Sequence, residues 1–315
     1  MPIRVAVLDD YQNVALDVAN WALLTDCEVV SFHDLPESEG HIDQLRDFEV
    51  VVAMRERTAF TKEVFASLPN LRLLVTTGMM NAAIDIPAAI DQGVVVCGTG
   101  GIATNTAELA WGLILALLRH IPLEDRNVRD GLWQGTLGGD LHGRTLGLLG
   151  LGRIGSQMAT IGQAFGMNVI AWSENLSVEK ASERGARRVS IDELFARSDI
   201  LSIHLVLSER TADLVTAADL GKMKPSTLVI NTSRAKLIEP GALETALREG
   251  RIGGAALDVY RNEPLAPDDP IRQLPNCVLT PHLGYVTRSA YEVFYGEAVE
   301  DIGAWISGAP IRLLA

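Results

Sequence analysis

Arg234 in "INTSRA", Glu263 in "ALDVYRNEP" and His282 in "LTPHLGY" are the residues of this sequence best suited to acid–base chemistry on a small oxygenated anion. An arginine offers a planar, permanently charged fork for a carboxylate or a keto oxygen. A carboxylate beside an imidazole is the pair that tunes a proton donor near neutral pH. Each segment closes an apolar, strand-like run, and the carboxyl ends of strands are where open α/β sheets bind their ligands. Taken singly, each residue also has a plain structural use: Arg234 in a surface ion pair, Glu263 in a turn before Pro264, His282 as a buried hydrogen-bonded histidine. Together, in this order, they are hard to explain as structure alone.

They follow a glycine turn. "TLGLLGLGRIGSQMA" contains Gly150-x-Gly152-x-x-Gly155, with an apolar strand before it, a helix opening at Arg153 or Ile154, and a second strand ending at Trp172. The first two glycines allow a tight turn and let the backbone approach a pyrophosphate seated on the helix N-terminus, and Gly155 permits close helix–strand packing. The next strand runs into "WSENLS", where an acid would hold ribose hydroxyls. Ser173 stands at that strand end and Glu174 follows it, and the stretch has no arginine to receive a 2′-phosphate. NAD is therefore expected rather than NADP, with a solvated loop carboxylate as the other use for Glu174.

The elements that position these residues read as two series of βα units. "IRVAVLD", "EVVSF", "EVVVAM", "LRLLVTT" and "GVVVCG" are the strands of the first, with helical spacing in "HIDQLRDF", "TKEVFASL" and "DIPAAIDQG"; Thr61 is a candidate N-cap and Gly93 a candidate stop. "TLGLLGL", "NVIAW", "DILSIHL", "TLVINT", "GAALDV" and "CVLTPH" are the strands of the second, separated by helices such as "IGSQMATIGQAFG" and "GALETALREG". Because the glycine turn lies mid-chain, the nucleotide domain, residues 101–285, is expected to be inserted into a domain built from 1–100 and 286–315. "SAYEVFYGEAVEDIGAWISG" is the helix that returns to that first domain. The fold class is α/β, two doubly wound parallel-sheet domains, a dinucleotide-binding Rossmann domain within a flavodoxin-like one. Two chain crossings imply a hinged cleft. "TNTAELAWGLILALLR" is apolar on nearly every face and should be buried between domains or subunits.

The 315 residues carry 27 Lys and Arg against 40 Asp and Glu, a net charge of −13, which repels nucleic acid and anionic lipid. Two aspartates in "MPIRVAVLDD" precede any run long enough for a signal peptide, so a cytoplasmic protein is expected, with no nucleic-acid or membrane partner. Cys27, Cys97 and Cys277 sit in apolar sequence without a Cys-x-x-Cys pair, and are expected to be buried reduced thiols rather than metal ligands.

In the order and spacing of "GLGRIG", "NTSRA", "ALDVYRNEP" and "TPHLG", the chain resembles the D-isomer-specific 2-hydroxyacid dehydrogenases over essentially all its residues. The resemblance implies hydride transfer between NAD(H) and C2 of a small 2-hydroxy or 2-keto acid, with His282 as acid/base, Glu263 as its partner and Arg234 as the substrate-binding arginine. It further implies Gly150, Gly152, Arg153, Ile154 and Gly155 at the pyrophosphate, Ser173 and Glu174 near the adenosine ribose, Thr232 near the nicotinamide ribose and Asp258 on the carboxamide. Backbone N–H groups of Gly78, Met79 and Met80 would hold the substrate carboxylate. A homodimer on the nucleotide domain is also implied, and no further C-terminal domain is expected after Ala315. The alternative is a dinucleotide-sensing regulator, since transcriptional corepressors share the resemblance.

"TTGMMNAAID" departs from the family's usual Gly-x-Gly-x-Asp-Asn run, and its two flexible thioethers are expected to line an apolar pocket. That stretch supplies no cation for a phosphate, so phosphorylated substrates are expected to do poorly. Arg55 and Arg57 in "AMRERT" are read equally as substrate ligands or as exposed loop charges.

Overall fold

The computed structural model describes residues 1–33 and 42–315. The chain forms two compact units, Met1–Ile102 with Val286–Ala315, and Ala103–Tyr285.

The first unit is built on five parallel strands: β1 (Ile3–Val7), β2 (Cys27–Ser31), β3 (Val50–Ala53), β4 (Leu73–Thr76) and β5 (Val95–Gly98), in the order β2-β1-β3-β4-β5. This is the flavodoxin-like order, whose switch point lies between β1 and β3. Continuous apolar runs such as Val50-Val51-Val52-Ala53 are buried throughout, as strands covered on both faces require. Helix Lys62–Ser67 starts where the Thr61 hydroxyl accepts the Val64 N–H at 3.4 Å, and helix Ile86–Asp91 starts on Asp85 and stops before Gly93, at φ +71°. Of the expected helix "HIDQLRDF", only a 3₁₀ turn at Ile42–Leu45 forms; His41 lies outside the described residues. Helix Arg288–Ile306 returns to this unit, and Glu297 accepts the Gly100 N–H at 2.6 Å.

The second unit has seven parallel strands: β6 (Thr145–Leu149), β7 (Asn168–Trp172), β8 (Arg187–Arg188), β9 (Ile200–Ile203), β10 (Leu228–Asn231), β11 (Gly254–Leu257) and β12 (Cys277–Leu279), ordered β12-β11-β10-β9-β6-β7-β8. That is the dinucleotide-binding order extended by one strand. The six expected strands are all present. The one missed, β8, consists of two exposed arginines at the sheet edge, so it has no apolar run to betray it. Alternation along β10 splits the core: Leu228 and Ile230 pack on one face of the sheet, Val229 on the other.

Helix Thr104–Leu118 buries eight of its fifteen residues within its own unit, against β10, β11 and helix Arg153–Ala164. One sheet face and helix Arg153–Ala164 cover its buried side within this unit. Cys97 is buried, but Cys27 and Cys277 are half-buried rather than enclosed. Burial pushes the thiols of Cys97 and Cys277 up to about 11.

Candidate active site

The glycine turn begins where β6 ends. Gly150 adopts φ +103°, and a Cβ there would sit 2.8 Å from the His204 carbonyl carbon, so conformation and space both demand glycine. A Cβ on Gly155 would strike the Gly150 carbonyl oxygen. Gly152 is different. Nothing lies within 4 Å of its Cβ position, and it opens helix Arg153–Ala164 with no side-chain cap. A helix start without a cap, faced by open space, is a cradle for a diphosphate. Thr232 gives a second sign of a ligand: it is 6% exposed, and its hydroxyl oxygen is buried without a hydrogen-bond partner. The residues present therefore fit a dinucleotide. At the end of β7 the Trp172 carbonyl accepts the Gly150 N–H at 2.8 Å, which leaves Ser173 half-buried and Glu174 exposed beyond it.

Strands β10, β11 and β12 lie side by side, so their carboxyl ends bring Arg234, Glu263 and His282 onto one edge of the sheet. His282 Nδ1 lies 2.6 Å from Glu263 Oε2, while Glu263 Oε1 accepts the Tyr260 N–H at 2.8 Å. Burial pushes the Glu263 carboxyl up, but the His282 hydrogen bond and charge, the Tyr260 N–H and the Arg234 charge outweigh it and hold it below the usual glutamate value. With Nδ1 engaged by a carboxylate, Nε2 is the nitrogen left to exchange a proton with a substrate. The Tyr285 ring meets the imidazole edge-on at 5.3 Å between centroids. Arg234 is half-buried, with a guanidinium N–H on the Ser233 carbonyl at 2.8 Å and its own carbonyl accepting from Asn231 at 3.0 Å.

Asp258, at the end of β11, has no exposed surface. Its carboxylate accepts from the Thr280 hydroxyl at 2.6 Å, the Leu283 N–H at 2.7 Å and the Gly284 N–H at 2.9 Å. These bonds clamp both sides of His282, whose φ of +56° is one that a side-chain-bearing residue holds only when its surroundings impose it. Burial raises the Asp258 carboxyl, against the pull of these donors. Three of its roughly four acceptor positions are taken, and the remaining one, on Oδ2, is what it has for a carboxamide.

In the first unit, Gly78 follows β4 at φ +94°. Its N–H is already given to the Thr99 hydroxyl at 2.9 Å, so it is not a donor for a carboxylate. The N–H groups of Met79 and Met80 have no acceptor among the described residues. Both thioether chains are exposed, 45% and 70%, rather than lining an enclosed pocket within this unit. Arg55 lies directly on the loop: a Cβ at Gly78 would collide with its guanidinium. Arg57 turns away, donating to the Asp9 carbonyl at 2.6 Å and stacking on Tyr11 at 4.4 Å.

Residues 111–284 match the family model described as "D-isomer specific 2-hydroxyacid dehydrogenase, NAD binding domain". A glyoxylate reductase of Aeropyrum pernix is 36% identical over 90% of this chain and 87% of its own. The chain belongs to the D-isomer specific 2-hydroxyacid dehydrogenase family. A D-3-phosphoglycerate dehydrogenase of Synechocystis is 34% identical over 98% of this chain, which spans only about half (55%) of that relative's length. A crystal structure of a phosphoglycerate oxidoreductase from Vibrio cholerae superimposes with a TM-score of 0.93 at 40% identity, covering 98% of this chain and 100% of that one.

Against this dehydrogenase fold, two features of the site escaped sequence reasoning. His204 ends β9 beside the glycine turn, bonded through Nε2 to the Ser202 hydroxyl at 2.8 Å, and burial pushes it down to about 4, so it is neutral at physiological pH. The strand-end rule that found His282 would have found it in "DILSIHL". Arg184, twelve residues past Trp172, donates to the Leu151 carbonyl within the glycine turn. No local pattern marks that contact, because only the helix after β7 brings it back.

Proposed function

We propose that the protein is an NAD-dependent dehydrogenase that interconverts a small 2-hydroxy acid and its 2-keto acid. The observation that carries this reading is the 2.6 Å Glu263–His282 pair at the carboxyl ends of the strands, with the Arg234 charge felt at the same carboxylate. The uncapped helix start at Gly152, with Arg153, Ile154 and Gly155, holds the dinucleotide's diphosphate; Glu174 faces the adenosine ribose; Thr232 takes a hydroxyl of the other ribose; and Asp258 offers its remaining acceptor to the amide. When bound, the nicotinamide supplies or accepts the hydride. The protein's own part is to fix the keto acid by the Arg234 fork and to deliver a proton from His282 Nε2 to the C2 oxygen, the imidazolium being balanced by Glu263. The N–H groups of Met79 and Met80 are suited to a carboxylate. Incubation with NADH and a panel of 2-keto acids, following loss of nicotinamide absorbance, tests the reading, and no turnover of any of them would overturn it.

The chain also works as a homodimer in the cytoplasm in this reading. The segment after helix Thr104–Leu118 exposes Ile121, Val128, Leu132, Trp133 and Leu137, the last two at 78% and 94%. Apolar exposure so concentrated marks an interface more often than a solvated surface. A single sedimenting species of 34 kDa, the mass of one chain, would refute the dimer. Three free cysteines, with thiols raised by burial, suit a reducing compartment. Among the described residues no single helix is long and apolar enough to cross a membrane.

A further inference from the structure

Arg55 is built onto the loop that follows β4. Its backbone N–H donates to the Thr77 hydroxyl at 2.9 Å, its carbonyl accepts from the Asn81 amide at 2.6 Å, and its φ of +53° is held by those two bonds. One guanidinium nitrogen donates to the Thr77 carbonyl at 3.1 Å, and the same nitrogen occupies the space a Gly78 Cβ would need. The adjacent Glu56 closes the arrangement. Its carboxylate lies 3.7 Å from Arg55 Nε, and the two side chains are only 23% and 21% exposed. The cation on the loop is therefore present but already balanced by an anion at its side.

We propose that Glu56 sets the charge class of the substrate: it neutralises Arg55 and so admits 2-keto acids whose one anion is the carboxylate, while turning away those that carry a second anionic group such as a phosphate. This rests on the dehydrogenase reading above and narrows its substrate class. A phosphate dianion drawn to the Arg55 guanidinium also meets the Glu56 carboxylate, which lies 3.7 Å from Arg55 Nε, and like charges in a half-buried site repel with little screening. Without Glu56 the positive charge of the guanidinium is no longer offset by the carboxylate at its side, and a phosphate is drawn to it. Relatives of similar identity carry the names of a phosphorylated and of a non-phosphorylated substrate, and this pair is what separates the two chemistries in this chain.

The test compares kcat/KM for 3-phosphohydroxypyruvate with that for hydroxypyruvate in the wild type, Glu56→Gln, and the double variant Glu56→Gln with Arg55→Met. Wild type should favour hydroxypyruvate, and Glu56→Gln should raise the phosphorylated-to-unphosphorylated ratio at least tenfold, a gain the double variant loses. A ratio unchanged within twofold in Glu56→Gln, a gain that survives in the double variant, or a wild type that already prefers the phosphorylated compound overturns the proposal. Glu56→Ser replaces Glu56→Gln if the glutamine protein does not fold. Calorimetric binding of 3-phosphoglycerate to wild type and the Glu56 variant gives a second readout that needs no turnover. Tighter binding by the variant supports the role of Glu56 even if no keto acid is reduced, in which case only the dehydrogenase reading fails; equal binding overturns the role of Glu56.

Discussion

Replacing Glu263 by glutamine tests the centre of the site, because the amide oxygen can still accept from His282 Nδ1 while the charge is gone. A hydrogen bond to a charged group contributes about 1.5–3 kcal/mol where solvent is excluded. Here the side chains of His282 and Glu263 keep 21% and 34% of their exposure. Solvent screening reduces the contribution of the charge to about 1–2 kcal/mol. If that energy is what maintains the protonated His282 that reduction requires, kcat/KM for keto-acid reduction falls about 5- to 30-fold, at about 1.4 kcal/mol per factor of ten. The assay is initial-rate NADH oxidation across pH, paired with fluorescence titration of NADH, whose affinity should not change.

The pH dependence has a definite sign. Glu263 titrates below the ordinary glutamate value in the folded protein, so its ionised form is favoured by folding. The stability it contributes is present above its unfolded pKa, about 4.3, and is lost as pH falls through the depressed folded value. The stability difference between wild type and Glu263→Gln should therefore persist above the ordinary glutamate pKa and close only as pH falls through the depressed folded value. A loss of kcat/KM under twofold at neutral pH, or an equal loss of NADH affinity, would show that the carboxylate does not act through His282.

Further substitutions probe the parts separately. His282→Ala should lower kcat at least about 100-fold with NADH binding kept, since a positioned general acid contributes that much; calorimetric titration and turnover on one preparation decide it. Gly155→Ala, whose methyl would strike the Gly150 carbonyl, should unfold at a lower temperature, whereas Gly152→Ala, with open space at its Cβ, should melt normally and lose NADH affinity. Asp258→Asn leaves a buried N–H facing an amide nitrogen and should cost about 1–3 kcal/mol in urea unfolding, with turnover falling as the His282 loop loosens. Asp301 is buried and pushed up to about 6, by burial first and by Glu297 and Glu300, against the pull of Arg312. Its folded form holds the proton more tightly than the unfolded chain, so it should lower stability as pH rises from about 4 to 6, and Asp301→Asn should flatten that part of the Tm profile.

What the sequence made legible was whatever a local pattern must encode. Parallel strands covered on both faces need unbroken apolar runs, so β3, β4 and β10 were plain, and the glycines at Gly150 and Gly155, though not Gly152, are dictated by collisions that the folded turn would suffer otherwise. Arg234, Glu263 and His282 could be placed on one edge of the sheet because they lie three, six and three residues past the ends of β10, β11 and β12. Two kinds of feature stayed hidden. One is the edge strand β8, which has two charged residues and no periodicity to read. The other is every contact made across strands: the Asp258 clamp on Leu283 and Gly284, twenty-five and twenty-six residues away, and the Arg55 bond to Thr77, twenty-two away.

The same distinction separates candidate chemistry, which the chain writes locally, from specificity, which it does not. Proton transfer needs particular groups at strand ends, and strand ends are written in the chain. Selection among substrates depends instead on which charges remain unbalanced after folding. "AMRERT" offers two arginines and one glutamate with nothing to rank them, and folding assigns them different fates: Arg57 to the Asp9 carbonyl and the Tyr11 ring, Arg55 to the loop at Gly78, Glu56 to Arg55. A net charge of −13 would suggest a surface hostile to every anionic ligand. Locally, the Arg234 charge acts on Glu263, the carboxylate that His282 engages. In the dehydrogenase reading proposed above, a substrate carboxylate would meet Arg234 beside an anion that His282 already engages, so the local balance rather than the sign of the whole protein would govern binding.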